Sequence, residues 1–113
     1  MKSTILIVED DPIQRRQMTR LLTELGHMIL QASTGREAVK IVEEEHVDLV
    51  LTDLKMPNMD GIALIKHLKE RHAQIPIGVL TSYPEELSNL QVEAILYKPF
   101  RGDQLKELVQ RLI

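Results

Sequence analysis

Five short aliphatic runs punctuate this chain, each followed by residues with helical spacing, and that alternation leaves few folds open to it. The runs fall near 4–9, 28–32, 48–52, 76–80 and 94–97. They are apolar nearly throughout, as strands buried on both faces must be, rather than alternating as half-solvated strands do. Strands that alternate with helices form a parallel sheet covered on both sides. The expected class is therefore α/β: a doubly wound, five-stranded parallel sheet with helices on both faces.

The helices between the runs are marked to different degrees. Asp11 is placed to cap the first, Pro12 suits its first position, and Ile13, Leu21, Leu22 and Leu25 form the expected inner stripe before Gly26 ends it. In the last helix, Leu105, Leu108, Val109 and Leu112 follow the i, i+3, i+4, i+7 pattern of an amphipathic face. The spacing predicts further helices over 35–45 and 60–72, and at most a short one over 84–91. With no repeat, low-complexity tract or linker, residues 1–113 are expected to form a single domain.

Composition excludes several functions. Fourteen basic against 17 acidic residues give a net charge of −3, and the aromatic residues are Phe100, Tyr83 and Tyr97 alone. A nucleic-acid surface needs a basic stripe and stacking platforms, so no direct nucleic-acid binding is expected. The absence of cysteine rules out disulfides and thiolate metal sites. The polar start Met1-Lys2-Ser3-Thr4 is not a signal peptide, and no apolar run reaches membrane-spanning length, so a cytoplasmic location is expected. Neither Gly-x-Gly-x-x-Gly after the first strand nor Gly-Lys-Ser/Thr anywhere is present, so the nucleotide-binding loops built on them are missing.

The chemistry lies where strands end. Glu9, Asp10 and Asp11 close the first run and Asp53 closes the third. In adjacent parallel strands these acids meet at the carboxyl edge, where open α/β sheets bind ligands. Clustered like charges are costly unless neutralised, and a hard divalent cation with oxygen ligands is the natural neutraliser. Asp11 already has a structural task as helix cap, which leaves Glu9, Asp10 and Asp53 as candidate ligands. Asp53 alone would read as a turn acid. Thr81-Ser82 end the fourth strand and Lys98-Pro99-Phe100 follow the fifth. Carboxylates, a hydroxyl and an ammonium converging on one edge suit phosphoryl transfer: an Asp carboxylate can attack phosphorus to give an acyl phosphate, while Lys98, a metal and the Thr81 hydroxyl stabilise charge on the transferring oxygens. His27, His46, His67 and His72 lack metal-ligand spacing and are expected at the surface. Met56 and Met59 are expected to pack the loop after Asp53.

These residues resemble the receiver domain of two-component response regulators over essentially the whole chain. The likeness rests on Ile7-Val8-Glu9-Asp10-Asp11, on Asp53-Leu54-Lys55-Met56-Pro57-Asn58-Met59-Asp60-Gly61, on Leu80-Thr81-Ser82 and on Lys98-Pro99-Phe100, in that order. It implies strand order 2-1-3-4-5 and Asp53 as acceptor of a phosphoryl group from a histidine kinase or phosphotransfer protein. It also implies Mg²⁺ held directly by Asp10 and Asp53, through water by Glu9, and by the backbone carbonyl of Lys55, with a cis Lys98–Pro99 bond aiming the ammonium at the carboxylates.

Two departures from the family are visible. The switch aromatic three positions before the lysine is replaced by Ile95, and Thr81 and Lys98 lie only 17 positions apart. The family's fourth helix must then be shortened or lost, as in receivers attached to hybrid sensor kinases. Ile95 is too short and stiff to act as that aromatic, so Tyr97 or Tyr83 is the candidate substitute and the change on phosphorylation is expected to concentrate in 81–91. Two rival readings have less support. An aspartyl-phosphate phosphatase typically has a second Asp two residues after the nucleophile, where this chain has Lys55. A binding module with vestigial phosphorylation leaves the set Asp10, Asp53, Thr81 and Lys98 without a purpose.

Overall fold

A computed structural model describes residues 2–54, 61–87 and 89–113. In chain order the elements are β1 (Thr4–Val8), α1 (Pro12–Glu24), β2 (Met28–Ala32), α2 (Gly35–Glu44), β3 (Leu49–Thr52), α3 (Gly61–Arg71), β4 (Ile77–Thr81), a 3-10 turn (Pro84–Leu87), β5 (Ala94–Tyr97) and α4 (Gly102–Leu112). All strand pairs are parallel and the order is β2-β1-β3-β4-β5, as the resemblance implied. Val8 pairs with Thr52 and Thr81 with Tyr97, so Glu9, Asp53, Ser82 and Lys98 all emerge at one edge.

Strand alternation divides the core in two. Ile5, Ile7, Leu49 and Leu51 point to one face, where Met18 and Leu22 of α1 meet Leu105, Leu108 and Val109 of α4. Leu6, Val8 and Val50 point to the other, against Ala38 and Val42 of α2 and Leu64, Ile65 and Leu68 of α3. Every residue of β3 and β4 is buried, which is why those runs carry no polar alternation.

Helix α1 begins as expected. Asp11 Oδ1 accepts from Ile13 N at 2.9 Å and from Gln14 N at 3.4 Å, and Gly26, at φ 95°, turns the chain after the helix. Its inner stripe differs from expectation: Met18 and Leu22 are buried, whereas Ile13 is 62% and Leu25 37% exposed. Ile13 lies five residues before Met18, about 140° round the axis at 100° per residue, and so faces away from the sheet. Leu25 follows the last helical turn, past the sheet.

Between β4 and β5 the family's fourth helix is reduced to the 3-10 turn. Leu87 fastens this segment to the α2/α3 side of the core, with Leu90 and Val92 partly buried behind it. Lys69 Nζ donates to the Gln91 carbonyl, and Ile77 N donates to Glu93 Oε1 at 2.7 Å. The segment is thus better anchored than its sequence indicated, yet it leaves one face of β5 open, with Ile95 40% and Tyr97 62% exposed. His67 is half-buried: its side chain is 30% exposed, while its Nε2 is buried with no hydrogen-bond partner among the described residues, 3.8 Å from Glu43 Oε1.

Candidate functional site

Strand pairing brings the acids together. Asp53 N donates to the Val8 carbonyl at 3.2 Å, carrying the β1/β3 ladder one step past the strands. Glu9, Asp10 and Asp53 each offer a carboxylate oxygen, all within 4.8 Å of one another, and among the described residues they are the one such group able to hold a metal ion. Glu9 is almost fully buried, Asp53 partly so, and Asp10 is exposed. One exposed ligand, one half-buried and one buried make a cup open to solvent on a single side.

Opposite the acids, Lys98 enters from the end of β5. Its Nζ donates to Glu9 Oε1 at 2.8 Å, Asp53 Oδ2 at 2.9 Å and Gln14 Oε1 at 2.9 Å. The backbone aims it: Lys98 N donates to the Thr81 carbonyl at 2.9 Å, and the Lys98–Pro99 peptide is cis as expected. Thr81 is fully buried, and its hydroxyl oxygen accepts from Tyr83 N at 2.9 Å. Asp53 is oriented by Leu54 N, which donates to its Oδ1 at 2.6 Å. Gly61 packs against the same backbone, where an added Cβ would run into the Asp53 carbonyl and Leu54 Cα. No side chain fits there, which gives the Asp53 to Gly61 spacing a steric reason.

Two of the three carboxylates, Glu9 and Asp53, share one ammonium, and the ionisation of the site reflects this. Burial pushes the Glu9 carboxyl above its ordinary range; hydrogen bonds from Lys98 and the Asp11 N–H pull it down without cancelling that, and Asp10 adds to the rise. For Lys98 burial favours the neutral form, but the hydrogen bonds to Glu9 and Asp53, with their charges, outweigh it and hold the ammonium more firmly protonated than usual. The Glu9 shift marks a buried carboxyl, and the Lys98 shift marks an ammonium held between two acids. The donor set is all oxygen and anionic, the chemistry of a Mg²⁺ site.

Glu9, Asp10, Asp53 and Lys98 converge as expected, and Thr81 ends the neighbouring strand. Lys55, Met56, Met59 and Asp60 lie outside the described residues. Two supporting residues were missed in the sequence. Arg15 donates to the Glu9 carbonyl at 2.7 Å, and Gln14 reaches Lys98. Their one sequence signal was position, at the third and fourth residues of a helix whose first turn overlooks the strand ends.

The sequence and the fold have many counterparts. A family model described as the response regulator receiver domain matches residues 5–110. Sporulation initiation phosphotransferase F of Bacillus subtilis is 33% identical, the match covering 100% of this chain and 95% of that protein. Sensor protein EvgS of Escherichia coli K12 is 35% identical over 98% of this chain, which spans 10% of EvgS; the chain likewise spans 46% of the positive alginate biosynthesis regulatory protein of Pseudomonas aeruginosa. Among solved structures, the response regulator TrrA of Thermotoga maritima in complex with Mg²⁺-BeF superposes with a TM-score of 0.90 at 32% identity, over 98% of this chain and 99% of that one. The receiver domain of a sensor histidine kinase from Pseudomonas aeruginosa, with a magnesium ion coordinated in its active-site cleft, gives 0.91 at 25% identity, over 99% and 98%. A matched family model over nearly the whole chain, with a relative 33% identical over all of this chain and a solved response regulator of the same fold at 32% identity, leads to one conclusion: the protein belongs to the response regulator receiver domains of two-component systems.

Proposed function

We propose that residues 1–113 form one receiver domain that takes a phosphoryl group onto Asp53 from the phosphohistidine of a kinase or phosphotransfer protein, and alters its partner interactions as a result. The observation that carries this reading is the ion pair of Lys98 Nζ with Asp53 Oδ2, at 2.9 Å, inside a cluster of three carboxylates. A structural salt bridge would not need two further acids beside it. In the transfer, an Asp53 carboxylate oxygen forms a bond to phosphorus as the bond from phosphorus to the donor nitrogen breaks. The departing imidazole keeps that electron pair and its nitrogen is free to take up a proton. Lys98 then has phosphoryl oxygens within reach of an ammonium already placed at Asp53, and Thr81 can rotate its hydroxyl from Tyr83 towards the same group.

Asp10 and Asp53 would hold Mg²⁺ directly, Glu9 would hold it through water, and the Lys55 carbonyl would complete the protein ligands. That cation supplies charge neutralisation for an anionic donor approaching an anionic acceptor. The chain turns over no external metabolite in this reading, acts in the cytoplasm, and is not itself a nucleic-acid binder.

Intact-mass measurement after incubation with a small phosphodonor and Mg²⁺ tests the reading. The expected result is the gain of one phosphoryl group by the natural chain and none by Asp53→Asn. A natural chain that gains nothing would instead support an interaction module that works without phosphorylation.

A further inference from the structure

An ammonium has three N–H donors and no acceptor. On Lys98 all three are engaged: Glu9 Oε1 at 2.8 Å, Asp53 Oδ2 at 2.9 Å and Gln14 Oε1 at 2.9 Å. The first two partners are anions that belong to the acidic cluster, and both would change surroundings when a cation binds or Asp53 becomes an acyl phosphate. The third is a neutral amide on α1, outside that cluster. We propose that Gln14 is a positioning residue for phosphoryl transfer: its side-chain carbonyl holds the Lys98 ammonium beside Asp53 while the other two partners change. The inference rests on Asp53 being the phosphoacceptor.

The amide is itself fixed in direction. Gln14 Nε2 donates to Asp11 Oδ2 at 3.1 Å, while Asp11 Oδ1 caps α1 through Ile13 N and Gln14 N. Turned over, the amide would set its NH₂ against the Lys98 ammonium and its carbonyl against the Asp11 carboxylate, two repulsions in place of two hydrogen bonds. The carboxylate that starts the helix therefore also decides which end of Gln14 faces the lysine.

A neutral acceptor suits this position. A carboxylate would add a further negative charge where an anionic phosphoryl group must arrive, and would hold the ammonium back from it. A side chain with no acceptor would leave the lysine held only by Glu9 and Asp53, the two partners whose surroundings change during transfer. Lys98 lines an open cleft of about 480 Å³ between α1 and α4, with Gln14, Met18, Leu21, Phe100 and Leu105 among the other walls. An untethered ammonium has room to turn into that space, away from Asp53. Gln14 prevents this without competing electrostatically for the phosphoryl oxygens.

During transfer the Asp53 oxygen bonds to phosphorus, the bond from phosphorus to the donor atom breaks, and that atom leaves with the electron pair. Gln14 touches none of the reacting atoms, so its whole effect must pass through Lys98. This makes the inference testable by a double-mutant cycle. The rate of mass gain from a small phosphodonor at saturating Mg²⁺ is measured for the natural chain, Gln14→Met, Lys98→Ala and the double variant. Gln14→Met keeps the length and helix preference of the side chain and removes its hydrogen-bonding ends. It should slow phosphorylation roughly tenfold, short of the ~100-fold that a 1 Å misplacement can cost, with an unchanged melting temperature. In the Lys98→Ala background it should change nothing further.

Asp11→Asn supplies an independent variant, since Asn caps a helix as well as Asp. Its amide NH₂ would draw the Gln14 carbonyl away from Lys98, so Asp11→Asn should slow the chain that has Gln14 and leave Gln14→Met unaffected. A natural rate in both Gln14→Met and Asp11→Asn overturns the inference, as does equal slowing by Gln14→Met with and without Lys98. Either result leaves Asp53 as phosphoacceptor intact. A natural chain that gains no phosphoryl group overturns both together.

Discussion

The two edges of the sheet handle carboxylates in opposite ways. At the amino edge, Asp48 is matched locally: its Oδ2 accepts from Thr4 N and its Oδ1 meets His46 Nε2, each at 2.8 Å. Those partners, the Thr4 N–H above all, hold its carboxyl below the ordinary range. At the carboxyl edge, Glu9, Asp10 and Asp53 cluster together, Lys98 pairs with Glu9 and Asp53, and burial leaves Glu9 above its range. One edge uses charge to close the fold, and the other keeps unbalanced charge where a ligand can bind. Glu9 and Asp48 shift in opposite directions because burial dominates at one and a backbone hydrogen bond at the other.

The largest expected contrast is in chemistry. Asp53→Asn should abolish phosphoryl uptake, whereas Asp48→Asn should leave it at the natural rate, both read by intact mass. Uptake that survives Asp53→Asn would put the acceptor elsewhere and break the comparison.

Next comes the response to a cation. Mg²⁺ that binds only the folded chain should raise stability by about 2.7 kcal/mol at 100 times its dissociation constant. Thermal melts with and without Mg²⁺ measure this, and Asp10→Asn should remove most of the gain. Identical melts at millimolar Mg²⁺ would mean the carboxyl edge holds no cation site.

A smaller effect tests the comparison most directly, because the same substitution should act with opposite sign at the two edges. Without metal, Asp53→Asn relieves repulsion and should stabilise the fold, by about 1 kcal/mol. Asp48→Asn gives up charge-assisted hydrogen bonds and should destabilise it by about 1 kcal/mol, a figure reduced for the exposure of that side chain. A carboxyl lowered by folding contributes stability that is present above its ordinary value of 3.8 and is lost as pH falls through its lower folded value. The cost of Asp48→Asn in denaturant titrations should therefore be full at pH 7 and vanish at strongly acid pH. The raised Glu9 runs the other way: its contribution is complete below the ordinary 4.5 and is lost as pH rises through the higher folded value.

The most local effect concerns the switch. Thr81 Oγ1 accepts from Tyr83 N, and Glu86 N donates to the Tyr83 carbonyl, so a Thr81 hydroxyl drawn towards a phosphoryl group releases the start of the 3-10 turn. Amide exchange with a phosphoryl mimic should change in 81–91 and stay constant in 103–113. The reverse pattern would show that the buried anchor Leu87 holds the segment still and that the signal leaves through α4.

Much of this was legible in the chain because the relevant physics is local. Short aliphatic runs alternating with helical spacing point to strands of a parallel sheet, fully buried at β3 and β4 and part exposed at the edges β2 and β5, and Asp11-Pro12 can start a helix wherever it sits. Acids at the ends of β1 and β3 become neighbours as soon as those strands pair. The α1 stripe was less legible, since Ile13 and Met18 are equally apolar and only the docking angle of the helix decides which of them the sheet covers. The segment after Thr81 was readable as shortened but not as fastened, because the Lys69 to Gln91 bond joins residues 22 positions apart.

By itself, then, the sequence determined the class of fold and the convergence of Glu9, Asp10, Asp53 and Lys98, with Thr81 beside them, at one sheet edge, all of which follow from periodicity and from what strand ends must do. Tertiary structure alone decided that the Lys98 ammonium has three acceptors, that one of them is Gln14, and that Glu9 is buried deeply enough for its carboxyl to lie above the ordinary range. Those are distances between side chains up to 89 positions apart, and only the packing of α1 and β5 against one sheet edge sets them.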